Sequence, residues 1–403
     1  MLPYAALKTF GVIDIHMMDF NTRQTPDGKI DLARSYEITQ SMLDEIDWCD
    51  ILVFGREWLP QGLGLLDIAK KKGKKVIYDL DDNLLIVPDW NPAGRVYNHQ
   101  QVKDLIDKFL NRVDYITVTH NDLANYFSRY KPTKILKNFV YVPFLQGHQN
   151  IVTKDPDIVM IGWAGSSTHL NDLLEIKPVI EDILRDFPRL VFTFLGSCPD
   201  KIKNIDKDRI HTLLGSPDLF GYYQLLGGLK LEIAIAPLCD DSFNQYKSNI
   251  KLLEYTACGY PCVASKVFEY KRYIEHRTDG LLAGKYVDWY NSLKALITNV
   301  EMRKQLVANA QTKLNKYCDI RDNCQKWLDL YSDFTGIQKE TIKEITDKDA
   351  FTEAYKQNVY QIAWFGPVAE EKSRKRFIQQ QINSSNFSSI SRTFKESGIN
   401  LSI

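Results

Sequence analysis

The sequence predicts an α/β protein made of two domains, each with a parallel β-sheet. Short runs of β-branched and aliphatic residues alternate with longer helical stretches, first within residues 1–150 and again within residues 151–335. Such alternation is typical of parallel sheets that are covered by helices on both faces. The chain has 403 residues, which is enough for two domains with separate cores. We therefore expect two such domains facing each other across a cleft.

In the first domain, four apolar runs are predicted as strands: residues 12–15, 51–54, 75–79 and 115–119. Parallel sheets bind ligands beyond the carboxyl ends of their strands. The candidate ligand-binding residues at these strand ends are Arg56, Glu57, Asp81, Asp82 and His120. The chain starts in a helix before residue 12, so the strand that normally opens such a domain is missing.

Residues 131–156 contain three prolines and are predicted to link the two domains. The second domain has five apolar runs that are predicted as strands: residues 158–163, 190–196, 209–211, 231–237 and 262–264. Residues 287–334 are predicted as helical, and part of this stretch is strongly amphipathic.

The stretch 244–265 predicts a loop, a helix, a tight turn at Gly259 and a buried strand. On a helix, Lys247, Lys251 and Glu254 fall within about 60° of each other. Two cations and a carboxylate on one face suit a sugar nucleotide, since cations bind a diphosphate and a carboxylate binds ribose hydroxyls. A solvated helix face gives the same pattern, so the helix alone leaves both interpretations open.

A turn rich in small residues follows the first strand of the second domain. It contains Gly165, Ser166, Ser167 and His169, and a helix is predicted to begin near Asn171. Small residues let the backbone approach a phosphate, and a helix start presents unpaired N–H groups. Tight packing of the turn explains the same residues, so this signal is weak by itself.

Together the two stretches resemble the family 4 glycosyltransferases, in the subgroup that makes surface polysaccharides and O-antigens. That subgroup typically reads I-G-W-x-G-S-x-x-H-x-x-D-L and, about 80 residues later, K-S-x-x-K-x-L-E-Y-x-A-x-G-x-P; both patterns occur here in this order. The resemblance covers roughly residues 45–335. The family's signature of two glutamates eight residues apart is only half matched, because Glu254 is present but position 246 is Tyr246.

The resemblance implies a GT-B fold with two Rossmann-like domains, and transfer from a nucleotide-diphosphate sugar of the UDP or GDP type. It implies retention of anomeric configuration, no obligatory metal and no other cofactor. Lys247 and Lys251 would stabilise the leaving diphosphate. Glu254 would bind ribose. The remaining implied donor contacts are Gly165, Ser166, Ser167, His169, Asn244 and Ser248.

The first domain would bind the acceptor, a glycan or a lipid-linked precursor. Asp81 or Asp82 would bind an acceptor hydroxyl or stabilise positive charge at the anomeric carbon, while Arg56, Glu57 and His120 would help to bind the acceptor. An acidic cap on the next helix explains the aspartates equally well. Together with Asp79 they also resemble a metal-binding D-x-D, which the second complete α/β domain argues against.

Composition excludes several partners. Lys+Arg and Asp+Glu number 51 each, so no net field attracts nucleic acid, and at most peripheral membrane contact is expected. The seven cysteines are irregularly spaced without a C-x-x-C pair, which predicts a reducing compartment and no zinc site. No apolar run approaches the roughly 18 residues of a membrane span, and no signal peptide is visible. The predicted location is cytoplasmic.

The extension over residues 336–403 is less regular, and its residues 359–367 are predicted as a buried strand. This strand would fill the vacant position in the first sheet, or begin a further module of a longer chain, or belong to a surface extension. Two other functions also stay open: a sugar-nucleotide epimerase, and a non-catalytic or truncated module that binds nucleotide sugars or glycans.

Overall fold

The computed structural model describes residues 2–18, 37–148, 153–154, 157–197, 209–216, 218–336, 340–362 and 399–400. The chain forms two compact units with mixed α/β structure. The first unit comprises Met1–Asn138, Tyr246–Ser248 and Ile320–Ile362; the second comprises Phe139–Gln245, Asn249–Asp319 and Ala363–Ile403.

The strands are short and almost all parallel. In chain order they are β1 (Ile51–Gly55), β2 (Lys75–Leu80), β3 (Tyr115–Val118), β4 (Thr133–Ile135), β5 (Thr153–Lys154), β6 (Val159–Gly165), β7 (Leu190–Gly196), β8 (Ile210–Leu213), β9 (Ile233–Ala236), β10 (Cys262–Ser265), β11 (Leu281–Ala283) and β12 (Ile399–Asn400). Strands β12 and β5 form a separate antiparallel pair.

Helices connect most of the parallel strands. In chain order they are α1 (Leu2–Thr9), α2 (Gln40–Trp48), α3 (Pro60–Lys71), α4 (Gly94–Tyr97), α5 (Gln100–Arg112), α6 (Asn121–Phe127), α7 (Leu170–Glu175), α8 (Lys177–Asp186), α9 (Leu219–Gly228), α10 (Ile250–Ala257), α11 (Phe268–Tyr273), α12 (Tyr286–Thr298), α13 (Val300–Tyr317), α14 (Ile320–Thr335) and α15 (Lys348–Ile362). Among the described residues, no helix combines the length and the apolar character needed to cross a membrane.

The first unit is organised around a four-stranded parallel sheet in the order β1-β2-β3-β4. Its core forms where strand side chains meet helix α5: the ring of Phe109 lies 5.2 Å from Phe54 of β1 and 5.4 Å from Tyr78 of β2. All three side chains are buried, and burying a side chain of this size contributes roughly 1.5–3 kcal/mol. The strand ends that carry the polar candidates therefore project from a packed sheet.

One sequence prediction in the first unit is wrong, and one strand was not predicted. Residues 12–15 form no strand, since the chain from residue 11 to residue 18 has no regular secondary structure. Conversely, the predicted linker contains β4, which pairs with β3 through Ile116 and Thr133. Strand β4 is short, mostly exposed and at the edge of the sheet, so it lacks the continuous apolar run that identifies a buried strand.

The strand predicted at residues 359–367 is also wrong over its first four residues, which belong to helix α15; residues 363–367 lie outside the described part of the chain. Among the described side chains of α15, Tyr355, Val359 and Ile362 are buried, and their spacing places them on one helical face. Helix α15 packs on α1, where the hydroxyl of Tyr355 donates to the backbone oxygen of Leu2 at 2.9 Å.

Helix α14 also belongs to the first unit, although the sequence assigned residues 320–335 to the second domain. The reason is aromatic packing on α1. The ring of Tyr4 meets Trp327 edge-on at 5.1 Å and stacks on Tyr331 at 6.3 Å.

The second unit is organised around a six-stranded parallel sheet in the order β11-β10-β9-β6-β7-β8. From β6 the chain proceeds outward through β7 and β8, and then returns to β9 on the other side of β6 and proceeds outward again. Ligands of open parallel sheets bind where the strand order reverses, beyond the carboxyl ends of the strands. That point lies between β6 and β9, where the turn after Gly165 and the loop before α10 both begin.

Candidate functional site

Helix α10 ends as the sequence predicts. Gly259 has φ +79°, and the backbone N–H of Tyr260 donates to the carbonyl oxygen of Tyr255 at 2.9 Å. A left-handed glycine allows this closure at no steric cost, and β10 follows directly. Helix and strand are thereby locked together behind the candidate site.

The beginning of α10 differs from the prediction, and Lys247 is not on it. The helix starts at Ile250, after a short 3₁₀ turn at Asn244–Tyr246, and the carbonyl oxygen of Asn249 accepts its first hydrogen bond from Leu252 at 2.9 Å. The predicted face shared by Lys247, Lys251 and Glu254 is therefore wrong for Lys247. Helical periodicity was extended through residues that fold as a turn.

Lys251 lies at the Gly165 turn. Its Nζ donates to the carbonyl oxygen of Ala164 and is 5.2 Å from the ring centroid of Trp163, close enough for a cation–π contact. A Cβ atom at Gly165 would lie 2.5 Å from the Trp163 ring and 3.2 Å from Lys251 Nζ. A glycine is required here because any side chain would displace the ring or the ammonium group.

Glu254 is buried on α10, with 9% of its surface exposed. Its Oε2 accepts a hydrogen bond from the hydroxyl of Tyr222 on α9 at 2.9 Å. Burial raises the pKa of Glu254 to about 7, although Lys251 and the Tyr222 hydroxyl each act to lower it. The carboxyl group therefore titrates near neutrality and changes its hydrogen-bonding capacity there.

The turn after β6 exposes Ser166 and Ser167 to solvent. A 3₁₀ turn at Ser167–His169 leads into α7, which starts at Leu170, within one residue of the predicted position. The neighbouring strand end is equally tight: Gly196 has φ +106°, and a Cβ atom there would lie 2.2 Å from the carbonyl oxygen of Gly165. Because both residues are glycines, no side chain of theirs covers the backbone at this edge of the sheet.

Asp172, the aspartate of the first motif, organises the loop between β9 and α10, although the motif itself assigns it no role. It is fully buried, and its Oδ2 lies 2.8 Å from Nδ1 of His169. Its Oδ1 accepts from the backbone N–H of Cys239 and from Nδ2 of Asn244, both at 2.8 Å. The predicted donor contact Asn244 is thus buried and holds the loop in place. The spacing H-x-x-D is the only sequence signal for this hub.

In the first unit, four charged residues meet at the strand ends. Arg56 donates through Nε to Asp81 at 2.5 Å and through Nη2 to Asp82 at 3.1 Å. Lys247 lies 2.9 Å from the other oxygen of Asp82. The structure therefore joins four residues that the sequence had divided between donor and acceptor roles.

The protonation states of this cluster follow from its charges. Loss of hydration alone would raise the pKa of Asp81, but Arg56 and then Lys247 outweigh it and hold that pKa below its usual range. The pKa of Arg56 shifts in the opposite direction. Loss of hydration alone would lower it, but the charges of Asp81 and Asp82 outweigh this effect and raise it. Arg56 also has φ +53°, a strained conformation for a residue with a side chain. Asp81 is thus presented as a carboxylate, and contacts with Arg56 and Lys247 fix the orientation of Asp82.

Two other predicted residues have local partners. Oε1 of Glu57 accepts from the backbone N–H groups of Trp58 at 2.8 Å and Leu59 at 2.5 Å, so this oxygen fixes the start of α3. The hydroxyl of Ser248 accepts from Nδ2 of Asn138 at 3.1 Å. Neither contact was predicted.

His120 differs from these residues. It lies at the end of β3, is 4% exposed, and within the described residues neither of its ring nitrogens has a hydrogen-bond partner. A buried polar group without a partner costs about 1–3 kcal/mol, so such groups are retained mainly where they have a function.

The possible D-x-D pair does not present two open carboxylates. Asp79 Oδ1 accepts from the hydroxyl of Thr117 at 2.5 Å, and burial raises the pKa of Asp79. Asp81 is paired with Arg56. The two side chains therefore have different partners and different charge preferences.

Comparison with known proteins adds the fold family. No family model matches the chain, and no curated protein matches it in sequence. Among solved structures, HepE from Anabaena in complex with UDP-glucose is 13% identical over 72% of this chain and 82% of its own, with a TM-score of 0.51. A variant of TarM from S. aureus, in complex with UDP and other ligands, is 13% identical over 75% of this chain and 59% of its own, with a TM-score of 0.54.

Sucrose-phosphate synthase from Thermosynechococcus elongatus is 11% identical over 81% of this chain and 86% of its own, with a TM-score of 0.55. These proteins are glycosyltransferases with the GT-B fold. The chain has the GT-B fold. Its two parallel sheets of four and six strands are those of that architecture, and at such low identity the similarity shows the fold alone.

Proposed function

We propose that this chain is a glycosyltransferase that moves a sugar from a nucleotide-diphosphate sugar of the UDP or GDP type to a glycan or lipid-linked acceptor. One observation carries the proposal. Lys251 and Glu254 lie on one helix, beside the Gly165 turn and at the point where the strand order of the second sheet reverses. Cation, carboxylate and accessible backbone are the three features that a nucleotide diphosphate requires.

In this proposal, Lys251 stabilises the negative charge that grows on the leaving diphosphate. Such charge stabilisation by fixed groups is usually the largest contribution to catalysis. Lys251 already contacts the turn carbonyl of Ala164, so the ammonium group is held close to where a phosphate would meet Gly165, Ser166 and Ser167. In the same proposal, Lys247 assists Lys251 in stabilising this charge. Glu254 accepts a hydrogen bond from ribose, which is stronger when the carboxyl group is ionised.

Residues at the strand ends of the first unit would bind the acceptor. Arg56 holds Asp81 and Asp82 in place, and either would accept a hydrogen bond from the attacking hydroxyl or stabilise the positive charge at the anomeric carbon. The buried imidazole of His120 offers two unused nitrogens to a sugar hydroxyl. Glu57 would contribute through the carboxylate oxygen that does not cap α3.

The finer features of the proposal come from the family resemblance. They are retention of configuration, independence of metal, a cytoplasmic location and a place in surface-polysaccharide synthesis. The division into an acceptor domain over residues 1–150 and a donor domain over residues 151–335 belongs to the same proposal.

Thermal unfolding with and without nucleotides tests the donor site. A ligand at 100 times its dissociation constant that binds only the folded state adds about 2.7 kcal/mol of stability. We expect UDP, GDP or ADP to raise the unfolding temperature of the wild type, and UDP is tested first because HepE and TarM are solved with uridine nucleotides. Glu254→Ala and Lys251→Ala should lose this shift.

Lys304→Ala is the matched control, because Lys304 is exposed on α13 and pairs with Glu301 of the same helix. It should keep the full shift. If no nucleotide stabilises the wild type, the proposed donor site is wrong. If a nucleotide sugar is consumed without any acceptor and its epimer is released, the chain is an epimerase.

A further inference from the structure

The hydroxyl of Tyr222 is hydrogen-bonded to Glu254, and neither of the two sequence motifs includes this tyrosine. Tyr222 is the fourth residue of α9 and is partly exposed, and its hydroxyl donates to Oε2 of Glu254 at 2.9 Å. Burial and, to a smaller extent, the charge of Glu254 raise the pKa of Tyr222 well above its usual value. The hydroxyl therefore stays protonated and acts as the donor.

Contacts at the start of α9 hold the backbone of Tyr222 in one position. Asp218 accepts from the backbone N–H of Gly221 at 2.9 Å, and the hydroxyl of Ser216 donates to the same carboxylate at 2.9 Å. A Cβ atom at Gly221 would lie 2.2 Å from the Ser216 hydroxyl oxygen, so the residue before Tyr222 has to be glycine. The backbone N–H of Tyr222 donates to the carbonyl oxygen of Asp218 at 3.0 Å.

The contact leaves the two oxygens of Glu254 in different states. Oε2 is occupied by Tyr222, whereas within the described residues Oε1 receives no hydrogen bond. A carboxylate held at one oxygen cannot rotate freely, so the direction of the other oxygen is fixed before any ligand arrives. Such preorganisation improves binding because less freedom is lost on association.

We propose that Tyr222 is a positioning residue that holds Oε2 of Glu254, so that Oε1 accepts a hydrogen bond from a ribose hydroxyl of the nucleotide. The inference rests on the proposed function. It adds a second residue to nucleotide recognition and a consequence that can be measured: the site selects ribonucleotides over deoxyribonucleotides, and this selection depends on one tyrosine hydroxyl.

Isothermal titration calorimetry compares the wild type with Tyr222→Phe, using UDP first and then GDP or ADP if UDP does not bind. The 2′-deoxy and 3′-deoxy analogues of the nucleotide that binds are the probes. We expect the wild type to prefer the ribonucleotide over at least one analogue by roughly tenfold or more, the size of a hydrogen bond to a charged group. In Tyr222→Phe this preference should fall below about threefold.

Tyr223→Phe is the matched control. Tyr223 is the next residue of α9 and is buried. The substitution removes a tyrosine hydroxyl but keeps the hydrogen bond between Tyr222 and Glu254. It should keep the preference of the wild type. Tyr222→Phe retains the aromatic ring and its packing, and circular dichroism verifies that both variants are folded.

The pH dependence of binding separates positioning from a general structural effect. The Tyr222 hydroxyl lowers the pKa of Glu254, so Tyr222→Phe should raise that pKa, and weakening of nucleotide binding on acidification should begin at a higher pH than in the wild type. The other titratable groups facing Glu254 are Lys251, Tyr223, Tyr255, Cys258 and Tyr270. These groups and the phosphates of the nucleotide are common to both proteins, so the difference between the two profiles reports Glu254.

The outcomes separate the two proposals. If the wild type binds none of the three nucleotides, the proposed function fails and this inference fails with it. If the wild type binds but shows no preference for ribose, or if Tyr222→Phe keeps both the preference and the pH profile, then Tyr222 does not position Glu254 and the proposed function stands.

Discussion

At the residue scale, the buried carboxyl of Glu254 makes the stability of the free protein depend on pH. Its pKa is raised to about 7 by burial, against an ordinary value of 4.5. The folded state therefore binds this proton more tightly than the unfolded state. The resulting stability is fully present below pH 4.5 and is lost as the pH rises through 7.

Glu254→Gln should remove this dependence, because the amide stays neutral. We expect the variant to be more stable than the wild type at pH 8, by up to ~3 kcal/mol for a shift of this size, and the difference should shrink towards pH 5. Urea unfolding without nucleotide at both pH values measures it, and all other titrations cancel in the difference. A difference that does not change with pH would mean that Glu254 is ionised throughout this range.

The site residues differ in how far the sequence could predict them. Lys251 and Glu254 are in the predicted places because they lie on a helix with regular spacing. Lys247 is not, because it lies between a 3₁₀ turn that ends at Tyr246 and a helix that starts at Ile250, where helical periodicity does not apply. Tyr222 had no signal, since it lies 32 residues from Glu254 and only the tertiary fold brings them together.

At the element scale, the sequence predicted the central strands and the edge strands β1 and β8, but not the edge strands β4 and β11. Strands such as β6 and β7 are continuous apolar runs, because both faces of a covered parallel sheet are buried. The edge strand β4 lacks that run. In α15 the apolar residues of the predicted strand begin at Val359, and the helical spacing is visible only when Tyr355 is included. Short apolar segments do not distinguish a strand from one face of a helix.

The packing of α15 on α1 gives a test at this scale. Val359 is fully buried, and its replacement by alanine leaves a cavity that should cost roughly 1–3 kcal/mol of stability. Chemical denaturation of Val359→Ala measures the loss. Gln357→Ala is the control, because Gln357 is exposed on the same helix and alanine has a high helix propensity, so its effect should stay within about 0.5 kcal/mol. Equal effects from both variants would mean that α15 does not pack through this face.

At the scale of the whole molecule, strand–helix alternation was sufficient to predict two parallel sheets, but it does not specify the order of the strands. The reversal between β6 and β9 is a property of the folded sheet. It brings the turn at Gly165 close to α10, although these segments are far apart in the chain. The two motifs of the family resemblance thus meet at one place, which their positions in the sequence alone do not require.

The proposed division of labour between residues 1–150 and residues 151–335 predicts that replacements of two acidic residues have different effects. Asp81→Asn lies in the first unit and keeps the size of the side chain, so nucleotide should still stabilise the protein as it does the wild type. Sugar transfer to the acceptor should fall at least tenfold, because removing a group that handles a proton or charge in the transition state typically costs 10²–10⁴-fold. Glu254→Ala should lose the nucleotide-dependent stabilisation together with transfer. Thermal shift and a transfer assay on the same preparations measure both. If Asp81→Asn abolishes the nucleotide shift, the proposed acceptor domain takes part in donor binding and the division is wrong.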